Sequence, residues 1–433
     1  MIATDGPRLI LGRTLTLAAD PFLSDPATSA IWHDRGAVLV EGGMIRDVGD
    51  AGALRAAHPD AGLEDMGDAL LTAGFIDCHV HYPQTAIIAG WGKRLIDWLN
   101  GYTFPEELRF ADPAYAARQA ETFLDLLALN GTTTASVYCT VHPQSAEAFF
   151  SAAEARGLRM TAGKVMMDRN APAGLTDDPE TGYADSKALI SRWHGRGRLS
   201  YAVTPRFAPT SSPAQLAAAG RLWAEHPDCA MQTHLSEQPD EIAWVRDLFP
   251  DDPDYFGVYE RTGLTGPGAI MGHAIHLEER EIAALAASGS GVAHCPTSNT
   301  FIGSGLCDVA GLRAAGIPVG LATDTGGGSS FSMLTTMRAA YEVSQLRGAP
   351  LHPAQLIWLA TAGSAEVMRM STHIGRLAPG MEADLIALDL SATPALRARA
   401  RRDADPWHGL FGAMILGDER CVTAAWSGGR RLR

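Results

Sequence analysis

The sequence contains no stretch approaching the ~20 consecutive apolar residues of a membrane span. Residues 1–7 carry no basic region ahead of an apolar one, so no secretory leader is read there. Cysteine is scarce. The six residues, Cys78, Cys139, Cys229, Cys295, Cys307 and Cys421, are widely spread, and none forms a Cys-x-x-Cys pair. That usage suits free thiols in a reducing cytoplasm rather than a disulfide framework. Basic residues are in the minority, 35 Lys and Arg against 49 Asp and Glu, a net charge of −14. Such a surface repels phosphate backbones and argues against nucleic acid as a partner. Several catalytic signatures are also missing. There is no H-E-x-x-H and no G-x-S-x-G. His276-Leu277-Glu278 lacks the P-C-x-x-C that would complete a zinc signature, and Gly326-Gly327-Gly328 lacks the Gly-Lys-Ser/Thr ending of a P-loop. No low-complexity tract or short-period repeat occurs.

What is present reads as a large globular chain. Its 433 residues allow two or three domains, or one barrel with an attached piece. A chain of this length buries a large core unaided, so a bound metal would serve chemistry rather than folding. The first ~70 residues read as strands. Leu9-Ile10-Leu11 opens one, and Ala37-Val38-Leu39-Val40 and Met44-Ile45-Arg46-Asp47-Val48 flank a hairpin turn at Glu41-Gly42-Gly43. Asp384-Leu385-Ile386-Ala387-Leu388 and Val422-Thr423-Ala424-Ala425-Trp426 read alike, which suggests one small β domain assembled from both termini.

Between them, short apolar strands alternate with helical patterns. Eight strand candidates cover residues 74–79, 134–138, 160–165, 200–204, 230–234, 269–273, 291–294 and 319–323. Asp112 before Pro113, and Ser212 before Pro213, are helix starts. The expectation is an α/β fold: a (β/α)8 TIM barrel at residues 73–374, with a small β-sandwich domain from 1–72 and 375–433.

A TIM barrel collects its active site at the C-terminal ends of its strands, and metal-ligand residue types stand there. The first strand ends His79-Val80-His81, whose i and i+2 side chains share a face. The fifth ends His234-Leu235-Ser236-Glu237, the sixth Gly272-His273, and the eighth Thr323-Asp324. Each alone has a bland reading: a chance H-x-H, a core histidine, a turn-capping Asp. Together, three His and one Asp make a mononuclear site with a position left for water.

On Gly74-Phe75-Ile76-Asp77-Cys78-His79-Val80-His81 and on the closing segment 375–385, the chain resembles the amidohydrolase superfamily over essentially its whole length. Ala73 stands where members often have proline. Two-metal members carry a carboxylated lysine at the end of strand four. Here that strand ends Thr204-Pro205-Arg206-Phe207, so one metal is expected. Three segments, residues 98–110 (including Tyr102-Thr103-Phe104-Pro105-Glu106-Glu107-Leu108-Arg109-Phe110), 203–207 and 320–334, are similar to the guanine deaminases. The resemblance implies that His79, His81, His234 and Asp324 hold one zinc ion per subunit. It further implies that Asp324 takes the water's proton, Glu237 shuttles protons and His273 orients the attacking water. Gln84, Arg206 and Phe207 fall on purine-contact positions. Bland readings of the last two are a rim salt bridge and a core aromatic. Trp91, Trp98 and Phe104 are candidates for a cover over the site, against simple packing of a long loop. The resemblance also implies a homodimer acting on guanine as a small-molecule substrate, in the cytoplasm, with no membrane partner. The alternatives are another mononuclear amidohydrolase acting on an oxidised guanine, a pterin or an s-triazine, and a metal-free scaffold protein.

Overall fold

The computed structural model describes residues 6–91, 94–400 and 405–433. Residues 1–5, part of the segment read above as free of a leader pattern, lie outside them. Four strands open the chain: β1 (Arg8–Leu17), β2 (Ala30–Glu41), β3 (Met44–Asp50) and β4 (Gly62–Ala73). The barrel strands are β5 (Phe75–His81), β6 (Thr132–Tyr138), β7 (Arg159–Gly163), the two-residue β8 (Val165–Met166), β9 (Leu199–Pro205), β10 (Ala230–Leu235), β11 (Ala269–His273), β12 (Gly291–His294) and β13 (Val319–Leu321). Then come β14 (Leu385–Leu388), β15 (Val422–Ser427) and β16 (Arg430–Arg431).

The parallel sheet runs β5-β6-β7-β9-β10-β11-β12-β13, with β8 beside β9. Helices cover it, so its strands are buried along nearly their whole length, as parallel strands are. The third expected strand is interrupted. Between β7 and β8 the fully buried Lys164 ammonium pairs with Asp177 and donates to the Val165 carbonyl at 3.2 Å. The ring closes past the last strand. Asp324 N–H donates to His79 O at 3.0 Å, and His81 N–H donates to Thr325 O at 2.8 Å. The buried Asp77 carboxylate accepts from the backbone N–H and hydroxyl of Thr323. Both expected helix starts form: Asp112 caps Pro113–Leu129, and Ser212 caps Pro213–Glu225 by accepting from Gln215 N–H.

The terminal strands make one seven-stranded sheet, β16-β15-β14-β4-β1-β2-β3. β4, twelve residues long and central in it, has no counterpart among the strands named from the sequence, because its first half is polar and mostly exposed. Ile45 of β3 and Trp426 of β15, far apart in strand order, share one apolar interior with Ile10, Val38 and Leu71. The sheet therefore curls over a core of its own. The turn between β2 and β3 falls at Gly42 and Gly43, whose φ of 58° and 77° suit glycine. Among the described residues no helix is long and apolar enough to cross a membrane.

The two parts are joined by ion pairs at the N-terminal ends of barrel strands, away from the site. Arg198 donates to Glu382 and, at 2.6 Å, to Asp384, while Arg159 also reaches Glu382. Asp384 is 3% exposed and also accepts from Gly428 N–H. Without Asp384, Arg198 is left with Glu382 as its carboxylate partner and the Gly428 N–H loses its acceptor. Asp384→Ala is expected to lower unfolding stability by on the order of 3 kcal/mol, read as a lower urea midpoint, with ligand affinity at the far end of the barrel unchanged.

Candidate active site

Nε2 of His79 lies 3.3 Å from Nε2 of His81, which lies 3.3 Å from Nε2 of His234. Oδ1 of Asp324 lies 3.3 Å from His79 Nε2 and 3.4 Å from His81 Nε2. Strands β5 and β10 and the turn after β13 thus aim four donor atoms at one point. Neighbouring ligands on one zinc ion with bonds of about 2.0–2.1 Å stand roughly 3–3.4 Å apart, so the four separations of 3.3–3.4 Å fit a single ion. Their electrostatics fit as well. Burial pushes His81 and His234 well below the usual imidazole range and lowers His79, which leaves neutral rings with lone pairs to offer. Burial alone would raise the Asp324 carboxyl, but its hydrogen bond to His79 and the fields of the surrounding imidazoles bring it down to about 2.

The backbone is bent to achieve this aim. Ser236, His273, Ala274 and Asp324 all have φ between 47° and 68°, a region that non-glycine residues occupy at a cost of roughly 1–3 kcal/mol each. They follow β10, end β11 or follow β13, where each strand has to turn a side chain inward. Gly272 makes room: a Cβ there would meet Cε1 of His79 at 2.7 Å. Tyr138, at the end of β6, packs on both rings of the H-x-H pair, 4.4 Å from His81 and 4.7 Å from His79 between centroids. Arg206 joins the ligand set to the pocket. Its carbonyl accepts from His234 Nδ1–H at 2.7 Å, which leaves Nε2 of that ring as the acceptor.

The two remaining polar candidates stand beside the ligands. Nδ1–H of His273 donates to Asn299 Oδ1 at 2.8 Å. His273 Nε2 faces Glu237 Oε2 at 3.5 Å and Asp324 Oδ2 at 3.8 Å. Burial disfavours the His273 cation, but Glu237 and Asp324 outweigh it and raise its pKa. Burial pushes Glu237 up to about 7. Its Oε1 accepts from the Ser304 hydroxyl at 2.8 Å, and its backbone N–H donates to Glu241 Oε2 at 2.9 Å.

A cavity opens over this cluster and is lined by His81, Gln84, Arg206, Phe207, His234, Glu237, His273 and Asp324. Every residue singled out from the sequence as a ligand, proton carrier or ring contact therefore lines the cavity, except His79, which sits beneath it. Arg206 is not a rim residue. It is 3% exposed and donates to the buried Glu107 carboxylate. Leu95, Trp98 and Leu99 close one side. The segment after β5, expected as a long loop, holds short helical turns at 82–87 and at 95–111. Of the three cover candidates, Trp98 lines the cavity and Phe104 packs with Phe207 and Ile302, while Trp91 is 78% exposed and is not among the lining residues.

Asn299, Ser304, Tyr138 and Glu107 were not picked out as individual site residues. Glu107 lies inside the segment 98–110, and Asn299 stands in a polar run, Thr297-Ser298-Asn299-Thr300, shortly after strand seven of the barrel. Strand-end position was the available signal for both Asn299 and Tyr138. Because each ligand supplies one corner of a single coordination shell, His79→Ala is expected to abolish stoichiometric metal binding, measured as metal per chain after dialysis. Retention of one tightly bound ion would remove His79 from the shell.

The model of the amidohydrolase family matches residues 70–431. The guanine deaminase of Escherichia coli (strain K12) is 44% identical over 405 residues, 93% of this chain and 92% of the relative. The solved E. coli guanine deaminase structure superposes with a TM-score of 0.96 at 41% identity, covering 98% of this chain and 99% of that one. The guanine deaminase of C. acetobutylicum, solved with bound guanine in its active site, gives a TM-score of 0.90 at 26% identity, covering 99% and 100%. The chain belongs to the amidohydrolase family, among its guanine deaminases.

Proposed function

We propose that this chain is a zinc-dependent guanine deaminase that converts guanine and water into xanthine and ammonia, with one ion per subunit. The observation that carries the reading is the shared cavity: the ring-contact residues Gln84, Arg206 and Phe207 open onto the same space as the metal-ligand cluster. The reading also takes residues 73–374 as the catalytic domain, and the chain as a cytoplasmic homodimer.

Zinc held by His79, His81, His234 and Asp324 would supply a Lewis acid that lowers the pKa of water toward about 7. The chain's own residues do the rest. Phe207 stacks on the purine, and Gln84 and Arg206 bond its polar edges. His273, anchored on Asn299, presents Nε2 to the attacking water, and Asp324 takes the proton that water loses. Glu237 gives a proton to the ring nitrogen beside the carbon that bears the exocyclic amine, so that this carbon accepts the water oxygen and becomes tetrahedral. Glu237, now a carboxylate, takes the hydroxyl proton of that carbon and passes it to the amine; the carbon–nitrogen bond breaks as the carbonyl forms, ammonia leaves, and the proton held by Asp324 returns Glu237 to its acid form. Burial raises the Glu237 carboxyl above the ordinary range, which favours its holding a proton to deliver. Trp98 and its neighbours cover the ring and keep bulk water out.

The test is ammonia release from a panel of guanine, an oxidised guanine, a pterin, an s-triazine, adenine and cytosine, with metal quantified on the same sample. Adenine lacks the 2-amino leaving group and places a donor where guanine has its carbonyl. The expected outcome is efficient turnover of guanine and no appreciable turnover of adenine or cytosine. Faster turnover of the pterin or the triazine would overturn the substrate assignment. Glu237→Gln preserves size and polarity but carries no proton between sites. It is expected to keep its metal and to lose roughly 10²- to 10⁴-fold in kcat, and near-normal kcat would take Glu237 out of the reaction.

A further inference from the structure

Within residues 102–110, part of a segment similar to the guanine deaminases, Glu107 is used by none of the steps above. Its side chain is 1% exposed. Each carboxylate oxygen takes one donor from a different ring-contact residue: Oε1 from Gln84 Nε2 at 3.1 Å, and Oε2 from Arg206 Nη1 at 2.7 Å. The Gln84 amide is held from its other side as well, with Oε1 accepting from Gly326 N–H at 3.3 Å. Flipping that amide would set oxygen against carboxylate and NH2 against N–H. Its orientation is therefore fixed, and one N–H and one oxygen lone pair remain for a ligand. The same carboxylate compensates the guanidinium charge where both side chains are buried and an unpaired charge acts strongly.

We propose that Glu107 is a specificity-determining positioning residue. By holding Gln84 and Arg206 on one carboxylate, it fixes the polar edge offered to the ring and cancels the Arg206 charge, so that the site takes a neutral purine in preference to an anionic one. The inference rests on the reading of this cavity as a guanine site. It has a consequence for turnover. Deamination replaces an amine with a second ring carbonyl, which makes the product a stronger acid than the substrate. A site that disfavours purine anions releases such a product more readily than one with a bare guanidinium.

The experiment compares the metal-loaded parent with Glu107→Gln and Glu107→Asp. It measures kcat and KM for guanine, metal per chain, and inhibition by hypoxanthine, a neutral purine, and by urate, an anion at neutral pH. Losing one charged hydrogen bond corresponds to a roughly 10- to 10²-fold change. Glu107→Gln is expected to raise the guanine KM by that factor with kcat changed only a few-fold and metal retained. It should also tighten urate relative to hypoxanthine by about tenfold or more, which a merely structural role would not do. Glu107→Asp keeps the charge on a shorter arm, so its KM rises while the urate-to-hypoxanthine ratio stays near that of the parent. An unchanged ratio in Glu107→Gln, or an equal shift in both variants, overturns the proposal. If Glu107→Gln fails to fold or load metal, Glu107→Asp decides, and an unchanged KM there overturns it. A parent that releases no ammonia from guanine defeats the functional reading itself. A parent that does so, with variants matching it, defeats only the role of Glu107.

Discussion

Three imidazole nitrogens and one carboxylate oxygen brought to within 3.3–3.4 Å of their neighbours are the constraint around which this molecule is organised. Atoms that all offer lone pairs do not gather of their own accord. The barrel has to hold them, and the cost is visible in the backbone, where residues following β10 and β13 and at the end of β11 take left-handed conformations. The compensation is equally local. Asp77 ties β5 to Thr323, backbone bonds cross from β5 to the 324–325 turn, and Tyr138 packs on the two rings of the H-x-H pair. Strain at the strand ends is tolerable because the layers beneath are packed on all sides.

Arg206 links two tasks that could have been separate. Its main chain orients metal ligand His234, while its side chain bonds Glu107 and lines the cavity. A shift of the turn after β9 would therefore disturb ligand geometry and ring recognition together. Glu237 and His273 are coupled in the same way. Each is fixed at one atom by a neutral partner, Ser304 or Asn299, and they face each other across 3.5 Å through the atoms left over. Neutral partners orient these groups without cancelling their charge, which keeps both available for proton movement. Glu107 does the opposite to Arg206, being an anion set directly on a cation.

Much of this was legible in the chain itself. Short apolar runs alternating with helical patterns located the barrel strands, because each strand is buried along nearly its whole length and the helices between them carry local caps such as Asp112-Pro113 and Ser212-Pro213. His79-Val80-His81 announced a shared face because alternation along a strand is a property of the backbone. The composition excluded a membrane span, and the absent motifs excluded several other hydrolytic chemistries.

What only the tertiary structure decided are matters of direction and partnership between residues distant in sequence. The long β4 escaped notice because its polar half pairs at the surface, where no apolar pattern marks it. Lys164 interrupts a strand and is spoken for by Asp177, thirteen residues on. Arg206, expected at the pocket with a rim salt bridge as its bland alternative, is held by Glu107, ninety-nine residues earlier and buried against it. Ser304 carries no local signature, and position near a strand end does not say what Tyr138 and Asn299 meet, since an amide or hydroxyl there looks the same whether it meets water or an imidazole. Sequence determines which residues stand at strand ends, because local backbone preference and burial period set the elements. The closing of the barrel determines which of those ends meet, because contacts across it depend on the register of every strand between them.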